Sequence, residues 1–318
     1  MSSGVMSRME TFTPRLCLKA VDQYETILQS RLSKSTKSPR NQQRVKNESS
    51  NTSIGRSYSV FRQWKKNDRD SKCNMDVSYI DDTKTNSLSS SLPNYYREVE
   101  YKGDTFIELQ DLLFGFTDPS VIDIKLGTRT FLESEVSNNV ARTDLYKKMI
   151  SVDPNAPTNF EHENQAVTKL RYMQFREQQS STCSHGFRIE AMKLPGAPPI
   201  TNLKKIKEHV AVVETLKLFL GRYSITYEKL LEQLKDMRSR IEASSYFKTH
   251  EVIGSSIFII YDEKKIGVWL IDFAKTYKVP DGKELSHRKP WKEGNHEEGF
   301  LLGIDNLIST IEEIKITL

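Results

Sequence analysis

Apolar residues recur at strand and helix periods throughout residues 94–318, which predicts a folded α+β domain over that range. The run REVEYKGDTFIEL predicts two strands joined by a turn at 102–104, and SVIDIKL predicts a third, buried strand. A longer run, EVIGSSIFIIYDEKKIGVWLIDFAKT, predicts a hairpin of two buried strands with its charged turn at Asp262–Lys265.

Three further segments place their apolar side chains on one face of a helix. Residues 205–221 and 226–243 each predict an amphipathic helix, and a third helix is predicted to close the chain. The apolar positions are Ile206, Val210, Val213, Leu216 and Leu220 in the first segment; Tyr227, Leu230, Leu234, Met237 and Ile241 in the second; and Leu301, Ile304, Leu307, Ile308 and Ile311 in the third.

Residues 1–93 differ from the rest in composition. The stretch SKSTKSPRNQQRVKNESSNTS is rich in serine and lysine and has too few apolar side chains to offset the entropy of ordering, so this region is predicted to be largely disordered. Thr13 and Pro14 favour the start of one short helix, and SVFRQW is typical of either a strand or a docking patch. A boundary near residue 93 therefore separates this region from the domain at 94–318.

Composition limits the functional classes without choosing among them. The chain has 318 residues, a net charge of +5 and a pI near 8.8, a modest excess that suits an anionic partner of any kind. Its three cysteines show neither metal-ligand nor disulfide spacing, and no apolar run is long enough to span a bilayer. We therefore expect a cytoplasmic protein without a membrane span.

The strand SVIDIKL carries two charges that a buried strand would normally exclude. Its isoleucines and Leu126 form one apolar face, whereas Asp123 and Lys125 lie on the other. Because burial of both charges without a purpose is costly, we expect this second face to line a cleft. The alternative is an edge strand whose two charges form a simple ion pair. Gly127, at the strand end, allows another backbone or a ligand to approach closely.

A second acidic position lies in WLIDFAKT. Asp272 follows three apolar residues and precedes Phe273, an arrangement by which kinases hold Mg²⁺ on the phosphates of ATP. The same tripeptide also occurs by chance in many strands. Ser255 and Ser256 interrupt the preceding apolar run. Either hydroxyl suits a phosphate or a metal-bound water. The alternative is that the two small side chains serve only the tight packing of the strand.

The region between these two sites is basic and contains aromatic residues. Such a density of cations suits a ligand with several phosphates, although a solvated helix face explains any single run. The sequence has no zinc-finger, RNP or helix–turn–helix motif, so nucleic acid is not the expected ligand. The cations are Arg142, Lys147, Lys148, Lys169, Arg171, Arg176, Arg188 and Lys193.

Together these motifs resemble the inositol polyphosphate kinase family. PSVIDIKLG fits the P-x-x-x-D-x-K-x-G pattern of that family, EVIGSSIF resembles its serine-containing strand, and WLIDFAKT resembles its metal-binding strand. YKKMISVDPNAPT, AVTKLRYMQFRE and HRKPWKEGNHEEGFLLGIDNLI are similar to the branch that phosphorylates inositol 1,4,5-trisphosphate. The resemblance implies a two-lobed α+β fold of antiparallel sheets, with a helical substrate-binding insert at about 135–245.

The resemblance also implies an activity and a set of site residues. The reaction would move the γ-phosphoryl group of ATP, with Mg²⁺, to the 3-hydroxyl of inositol 1,4,5-trisphosphate and give the 1,3,4,5-tetrakisphosphate. Asp123 would hold the ribose, Lys125 would bridge the accepting hydroxyl and the phosphoryl group, and Asp272 would bind Mg²⁺ beside Ser256. The other implied contacts are Gln110, Asp111 and Leu112 to adenine; Lys193 between nucleotide and substrate phosphates; and Arg142, Lys169, Tyr172, Arg176 and Lys275 to the substrate.

Some features of the family are altered or not located. Its Gly-containing strand and ATP-binding lysine have no clear match upstream, where Gly55, Lys65 and Lys66 are candidates without context, so the sequence does not establish a complete N-lobe. Gln110 replaces the usual glutamate of the hinge. Ala274 replaces a common glycine, which is tolerable if its φ is negative.

Two other functions stay open at this point. The unlocated N-lobe motif also fits a catalytically impaired relative that binds inositol phosphate or calmodulin. The basic tail at 30–56 fits a protein that binds nucleic acid or a membrane surface. The stretch Asp144–Val152 resembles the family's calmodulin-binding stretch, because its basic and apolar residues alternate as an amphipathic helix requires.

Overall fold

The computed structural model describes residues 59–64, 88–101, 104–221 and 224–316, which form three antiparallel sheets and a set of helices. The first sheet has the order β1-β3-β2, with β1 at Ser59–Trp64, β2 at Tyr95–Tyr101 and β3 at Asp104–Gln110. β2 and β3 are the two strands predicted from REVEYKGDTFIEL. SVFRQW is a strand, β1, and it lies upstream of the boundary predicted near residue 93.

Several predictions concern residues that the structure does not describe. They are the short helix from Thr13, the tail at 30–56, the turn residues 102–103, and the N-lobe candidates Gly55, Lys65 and Lys66.

The central sheet has the order β5-β4-β7-β8, with β4 at Ser120–Leu126, β5 at Phe187–Lys193, β7 at Ser256–Tyr261 and β8 at Ile266–Ile271. The predicted hairpin is present as β7 and β8, joined by the charged turn at 262–265. It is shorter than predicted, because its flanks pair with each other in a separate sheet of β6 at His250–Ile253 and β9 at Lys275–Lys278. Gly254, with φ of 76°, separates β6 from β7.

Nine α-helices occur within the described residues. They are α1 at Glu133–Val136, α2 at Thr143–Ile150, α3 at Asn159–Asn164, α4 at Lys169–Gln178, α5 at Thr182–His185, α6 at His209–Leu220, α7 at Ser224–Ala243, α8 at Ser245–Thr249 and α9 at Phe300–Ile316. Short 3₁₀ helices occupy Ser89–Ser91 and Asn202–Lys205. None of the helices in the described part combines the length and apolar character needed to cross a bilayer.

The main core lies between the central sheet and helices α6, α7 and α9. The apolar face of β4 is buried there, as are all the apolar residues predicted for α7 and α9. The prediction for α6 was wrong at Val210, which is 72% exposed because the helix begins only at His209. Its buried stripe is instead Val212, Val213, Leu216, Phe219 and Leu220.

Close backbone contacts fix the end of β4 against α9. The N–H of Gly127 donates to the carbonyl oxygen of Gly186 at 2.7 Å, and a Cβ on Gly303 would lie 2.1 Å from that same oxygen. Gly127 has φ of +98°, and a Cβ there would lie 2.9 Å from the carbonyl oxygen of Glu298. The close approach predicted at Gly127 is therefore confirmed, and its neighbours are backbone atoms.

Candidate active site

β4 lies inside the central sheet and carries Asp123 and Lys125 on the face opposite the main core. The alternative of an edge strand was wrong, because β4 pairs with β5 on one side and with β7 on the other. Lys125 lies opposite Ser256 of β7 and Asp123 lies opposite Phe258, so the four side chains share one face. We call this surface, with Asp272 at the end of β8, the cleft face.

One end of the cleft face is apolar. Its buried members are Leu112, Val121, Phe258 and Ile260, with half-buried Leu113, Phe116, Trp269 and Ile271 around them. The segment after β3 turns beside this patch, where Oδ1 of Asp111 accepts a hydrogen bond from the backbone N–H of Leu113 at 3.1 Å. The backbone N–H of Gln110 donates to the carbonyl of Asn94 at 2.8 Å. An apolar patch of this kind suits a flat heterocyclic ring.

Asp123 lies in the middle of the cleft face. Its Oδ1 and the Oγ of Ser256 are both buried, and the Ser256 hydroxyl lowers the pKa of the Asp123 carboxyl, but neither atom makes a hydrogen bond of good geometry among the described residues. Burial raises the pKa of Asp123 to about 7; the carboxylate of Asp272 adds to the rise, and the ammonium of Lys125 opposes it. Because buried polar atoms seldom lack partners, these two atoms indicate a bound group that completes their hydrogen bonding.

Lys125 and Asp272 lie at the opposite end from the apolar patch. Nζ of Lys125 donates to the carbonyl of Gly254 at 3.0 Å, and Oγ of Ser255 donates to the carbonyl of Asp272 at 2.9 Å. Asp272 has φ of 68°, a left-handed conformation that costs a non-glycine residue about 1 kcal/mol and is concentrated at functional sites. Ala274 is not among the described residues with positive φ, so its methyl group is tolerated as expected.

Lys275 brings a second lysine close to this end. It begins β9 and lies opposite Ile253, whose neighbour Gly254 accepts the hydrogen bond from Lys125. Nζ of Lys275 donates to both carboxylate oxygens of Glu135 in α1, each at 2.9 Å. Burial acts to raise the pKa of Glu135, but the hydrogen bond from Lys275 and the charge of Lys169 lower it overall.

Helix α4 supplies the other predicted substrate contacts. Positions i, i+3 and i+7 of this helix form one face, which carries Lys169, Tyr172 and Arg176. The backbone of Arg142 pairs with Val167, just before α4, through a hydrogen bond of 2.9 Å. The guanidinium of Arg142 donates to both oxygens of Asp144, at 2.9 and 2.8 Å, on the exposed surface. Of these residues the structure connects Lys169 to the Lys125 end, because its charge acts on Glu135, the partner of Lys275. The substrate contacts of the other residues stay a prediction.

Lys193 is not part of that group. It lies opposite Val121, four residues along β4 from Lys125, which corresponds to about 13 Å of strand. Its Nζ donates to Oδ1 of Asp118 at 2.8 Å, and its side chain is 5% exposed. The structure thus places Lys193 beside the apolar end, which does not match its predicted position between two sets of phosphates.

The sequence did not indicate two acidic residues of this region, Glu135 and Glu190. Glu190 lies at a β-bulge of β5 and is buried, and its Oε1 accepts a hydrogen bond from Nε of Arg188 at 2.7 Å. Its charge contributes to the raised pKa of Asp123. A bulge has no mark in the sequence, so the position of Glu190 opposite β4 was not predictable.

The stretch proposed for calmodulin, Asp144–Val152, lies mostly in α2. Leu145, Tyr146 and Met149 are buried in a small cluster with Val167 and Phe175. The apolar side that a helix-binding partner would contact is therefore already packed inside the protein.

The cleft face combines three features in line along β4. An apolar patch lies at one end, the Asp123 carboxyl with its buried Oδ1 in the middle, and Lys125 with Asp272 at the other end, near Lys275 of β9. This order suits an elongated anionic ligand such as a nucleotide, beside a second anionic ligand. Such an arrangement performs phosphoryl transfer by positioning its ligands and neutralising their charge.

Residues 106–312 match the inositol polyphosphate kinase family. Because this match covers more than half of the chain, the protein belongs to the inositol polyphosphate kinase family. The whole cleft face lies within the matched residues, so the family predicted from the sequence motifs is confirmed.

Its curated relatives are inositol-trisphosphate 3-kinases. The chain is 48% identical over 246 residues to the homolog from Caenorhabditis elegans, which covers 76% of this chain and 50% of that protein. It is 43% identical to inositol-trisphosphate 3-kinase A from Homo sapiens, covering 72% of this chain and 50% of that protein. For the human C form the identity is 42%, over 76% of this chain and 36% of that protein. The chain therefore spans half or less of the length of these relatives.

A solved structure shares the fold. The inositol phosphate multikinase of S. cerevisiae, in complex with ADP and Mn²⁺, superposes with a TM-score of 0.52 at 15% identity. The superposition covers 80% of this chain and 98% of that chain. The predicted α+β fold of antiparallel sheets with helices is thus confirmed.

Proposed function

We propose that this protein transfers the γ-phosphoryl group of ATP to the 3-hydroxyl of inositol 1,4,5-trisphosphate, giving the 1,3,4,5-tetrakisphosphate. The observation that carries this proposal is the meeting of Asp123, Lys125 and Asp272 on one cleft face, near Lys275 of β9. The names of the matched relatives support the substrate. The ADP and Mn²⁺ of the multikinase support a nucleotide and a divalent cation, for which we propose ATP and Mg²⁺.

The nucleotide would lie along β4. Its adenine would pack on the apolar patch and meet the backbone of residues 110–112, so the change from glutamate to Gln110 leaves the contact intact. Its ribose would then reach Asp123, where a hydroxyl would donate to the Oδ1 that otherwise has no partner. This direction carries the phosphates toward Lys125 and Asp272.

Asp272 and Ser256 fit a hard divalent cation, because carboxylate and hydroxyl oxygens are its usual protein ligands. The unpartnered Oγ of Ser256 and the strained, hydrogen-bonded backbone of Asp272 both support a bound ion at this point. When bound, the ion would neutralise charge on the nucleotide phosphates.

Lys125 would act at the transferring group. The carbonyl of Gly254 holds its ammonium at the Asp272 end of the cleft face, where it would stabilise negative charge as the phosphoryl group moves. The acceptor would be held by its phosphates, through Arg142, Lys169, Tyr172, Arg176 and Lys275. These contacts fix the 3-hydroxyl in line with the nucleotide, which is the main requirement of phosphoryl transfer.

The test is turnover by the purified chain with inositol 1,4,5-trisphosphate and Mg-ATP, with chromatographic detection of the tetrakisphosphate. Lys125→Ala should give no product, whereas Lys235→Ala, which removes an exposed lysine paired with Glu312 far from the cleft face, should match the wild type. Absence of product from the wild-type chain would refute the proposal. If that chain still bound the trisphosphate without ATP, it would be a catalytically impaired binding protein.

Two narrower predictions accompany this function. Calmodulin binding through Asp144–Val152 would require α2 to separate from Val167 and Phe175. A Ca²⁺-dependent complex should therefore form only when Leu145, Tyr146 and Met149 leave that apolar cluster.

A cytoplasmic location is supported by cysteines without disulfide spacing, of which Cys183 is a free, exposed thiol.

A further inference from the structure

We propose that Glu135 is a specificity-determining residue of the substrate site. In the free protein its carboxylate occupies the position at Lys275 and Lys169 that a substrate phosphate takes on binding. The identity of that substrate rests on the proposed function; the displacement of Glu135 by an anion does not.

The contact between Glu135 and Lys275 has the geometry of a bound oxyanion. Nζ of Lys275 reaches both carboxylate oxygens at 2.9 Å, and Oε2 also accepts a hydrogen bond from the backbone N–H of Leu132 at 2.9 Å. The side chains are 36% and 24% exposed, so the pair is only partly screened by water. Lys169 adds its charge from the first turn of α4.

The position of this pair connects it to the transferring group. Lys275 lies opposite Ile253, and the next residue, Gly254, provides the carbonyl that binds Nζ of Lys125. Asp272 lies only three residues before Lys275 in the chain. A phosphate placed between Lys275 and Lys169 would therefore belong to a molecule that also reaches Lys125.

A carboxylate in this position selects for ligands with several phosphates. A small anion would gain the contact with Lys275 only by displacing Glu135, so its net gain is small. An inositol phosphate with several phosphates also reaches the cations of α4, and these further contacts offset the displacement. Glu135 thus sets a threshold, because both ligands displace it at the same cost and only a ligand with several phosphates has enough further contacts to bind tightly after that cost.

Asp144 provides a matched comparison within the same chain. It also binds a predicted substrate cation through two oxygens, but both Asp144 and Arg142 are about half exposed, at 49% and 51%. An ion pair so open to water contributes little, so removal of this charge should hardly change anion binding.

The experiment is calorimetric titration of pyrophosphate and of inositol 1,4,5-trisphosphate into the wild-type chain, Glu135→Gln and Asp144→Asn. Glutamine keeps an oxygen for the N–H of Leu132 and removes the charge. Glu135→Gln should bind both pyrophosphate and the trisphosphate about five- to tenfold more tightly, because each ligand displaces the same carboxylate. Asp144→Asn should stay within about twofold of the wild type for both ligands.

Unchanged or weaker pyrophosphate binding by Glu135→Gln would overturn the inference, because a carboxylate that holds the anion position must weaken anion binding. Asp144→Asn shows how much the loss of one surface carboxylate changes anion binding by its charge alone. The kinetic counterpart is a lower KM for the trisphosphate with little change in kcat. If the wild-type chain shows no turnover, the proposed function fails, yet the shift in pyrophosphate affinity still decides the role of Glu135.

Discussion

Replacement of Asp123 by asparagine should stabilise the ligand-free protein at neutral and alkaline pH while it abolishes turnover. The carboxylate is buried, its Oδ1 has no partner among the described residues, and its pKa is raised to about 7. The folded protein therefore holds this side chain ionised at a cost, and an isosteric amide avoids that cost.

The sign and size follow from the difference between folded and unfolded states. Between about pH 4 and pH 7 the folded state keeps a proton that the unfolded state has lost, so the stability of the wild type falls as pH rises through this window. A rise from 3.8 to about 7 corresponds to an upper limit of about 4 kcal/mol. The advantage of Asp123→Asn should be near zero only below about pH 4, and it should increase by about 1–3 kcal/mol between pH 5 and pH 8.

The assay is urea unfolding of wild type and variant without ligand at pH 5, 6, 7 and 8. Glu177→Gln is a suitable control, since burial also raises the pKa of Glu177 to about 7 while Glu177 lies outside the cleft face. It should share the pH-dependent gain in stability and retain turnover. The reasoning would be refuted if Asp123→Asn were no more stable than the wild type at pH 8. It would also be refuted if the difference in unfolding free energy between the two proteins stayed constant from pH 5 to pH 8.

Three other changes test separate parts of the molecule. Lys125→Ala should lower kcat by at least about 100-fold and leave the melting temperature nearly unchanged, and normal turnover would contradict its role. Asp272→Gly should relieve the left-handed backbone strain and raise the free energy of unfolding by about 1 kcal/mol. The same variant should lose Mg²⁺-dependent ATP affinity, measured by calorimetry, and an unaltered affinity would place the metal elsewhere. Gly303→Ala should lower the free energy of unfolding by about 2 kcal/mol or more, because its Cβ would lie 2.1 Å from the carbonyl oxygen of Gly186, and an unchanged urea midpoint would show that α9 can shift freely.

The spacing of apolar residues predicted those helices and strands that pack against the same core along their whole length. All five apolar positions of α7 are buried, and Ile122, Ile124 and Leu126 of β4 share one buried face, because each element packs on a single continuous core. Val210 shows the limit of this approach. Its spacing continues the stripe of α6, but the helix begins one residue earlier and that first turn extends beyond the core.

The chemistry of the site was predictable only where it lies within one short motif. Asp123 and Lys125 are two residues apart, so strand geometry alone places them side by side. Glu135 and Lys275 are 140 positions apart, and Lys193 and Asp118 are 75 apart, so no local pattern could indicate either pair. Which cation meets an internal carboxylate, and which stays available to a ligand, is decided by tertiary packing.

The contact of Gly186 with Gly127 and Gly303 links the strand of Asp123 and Lys125 to α9. A nonsense codon, a protease cut or a bulky fusion that dislodges α9 would thus disturb the cleft face from a distance, although no described atom of that helix belongs to it. A small compound wedged between this helix and Gly186 would inhibit the proposed activity without competing with either proposed ligand.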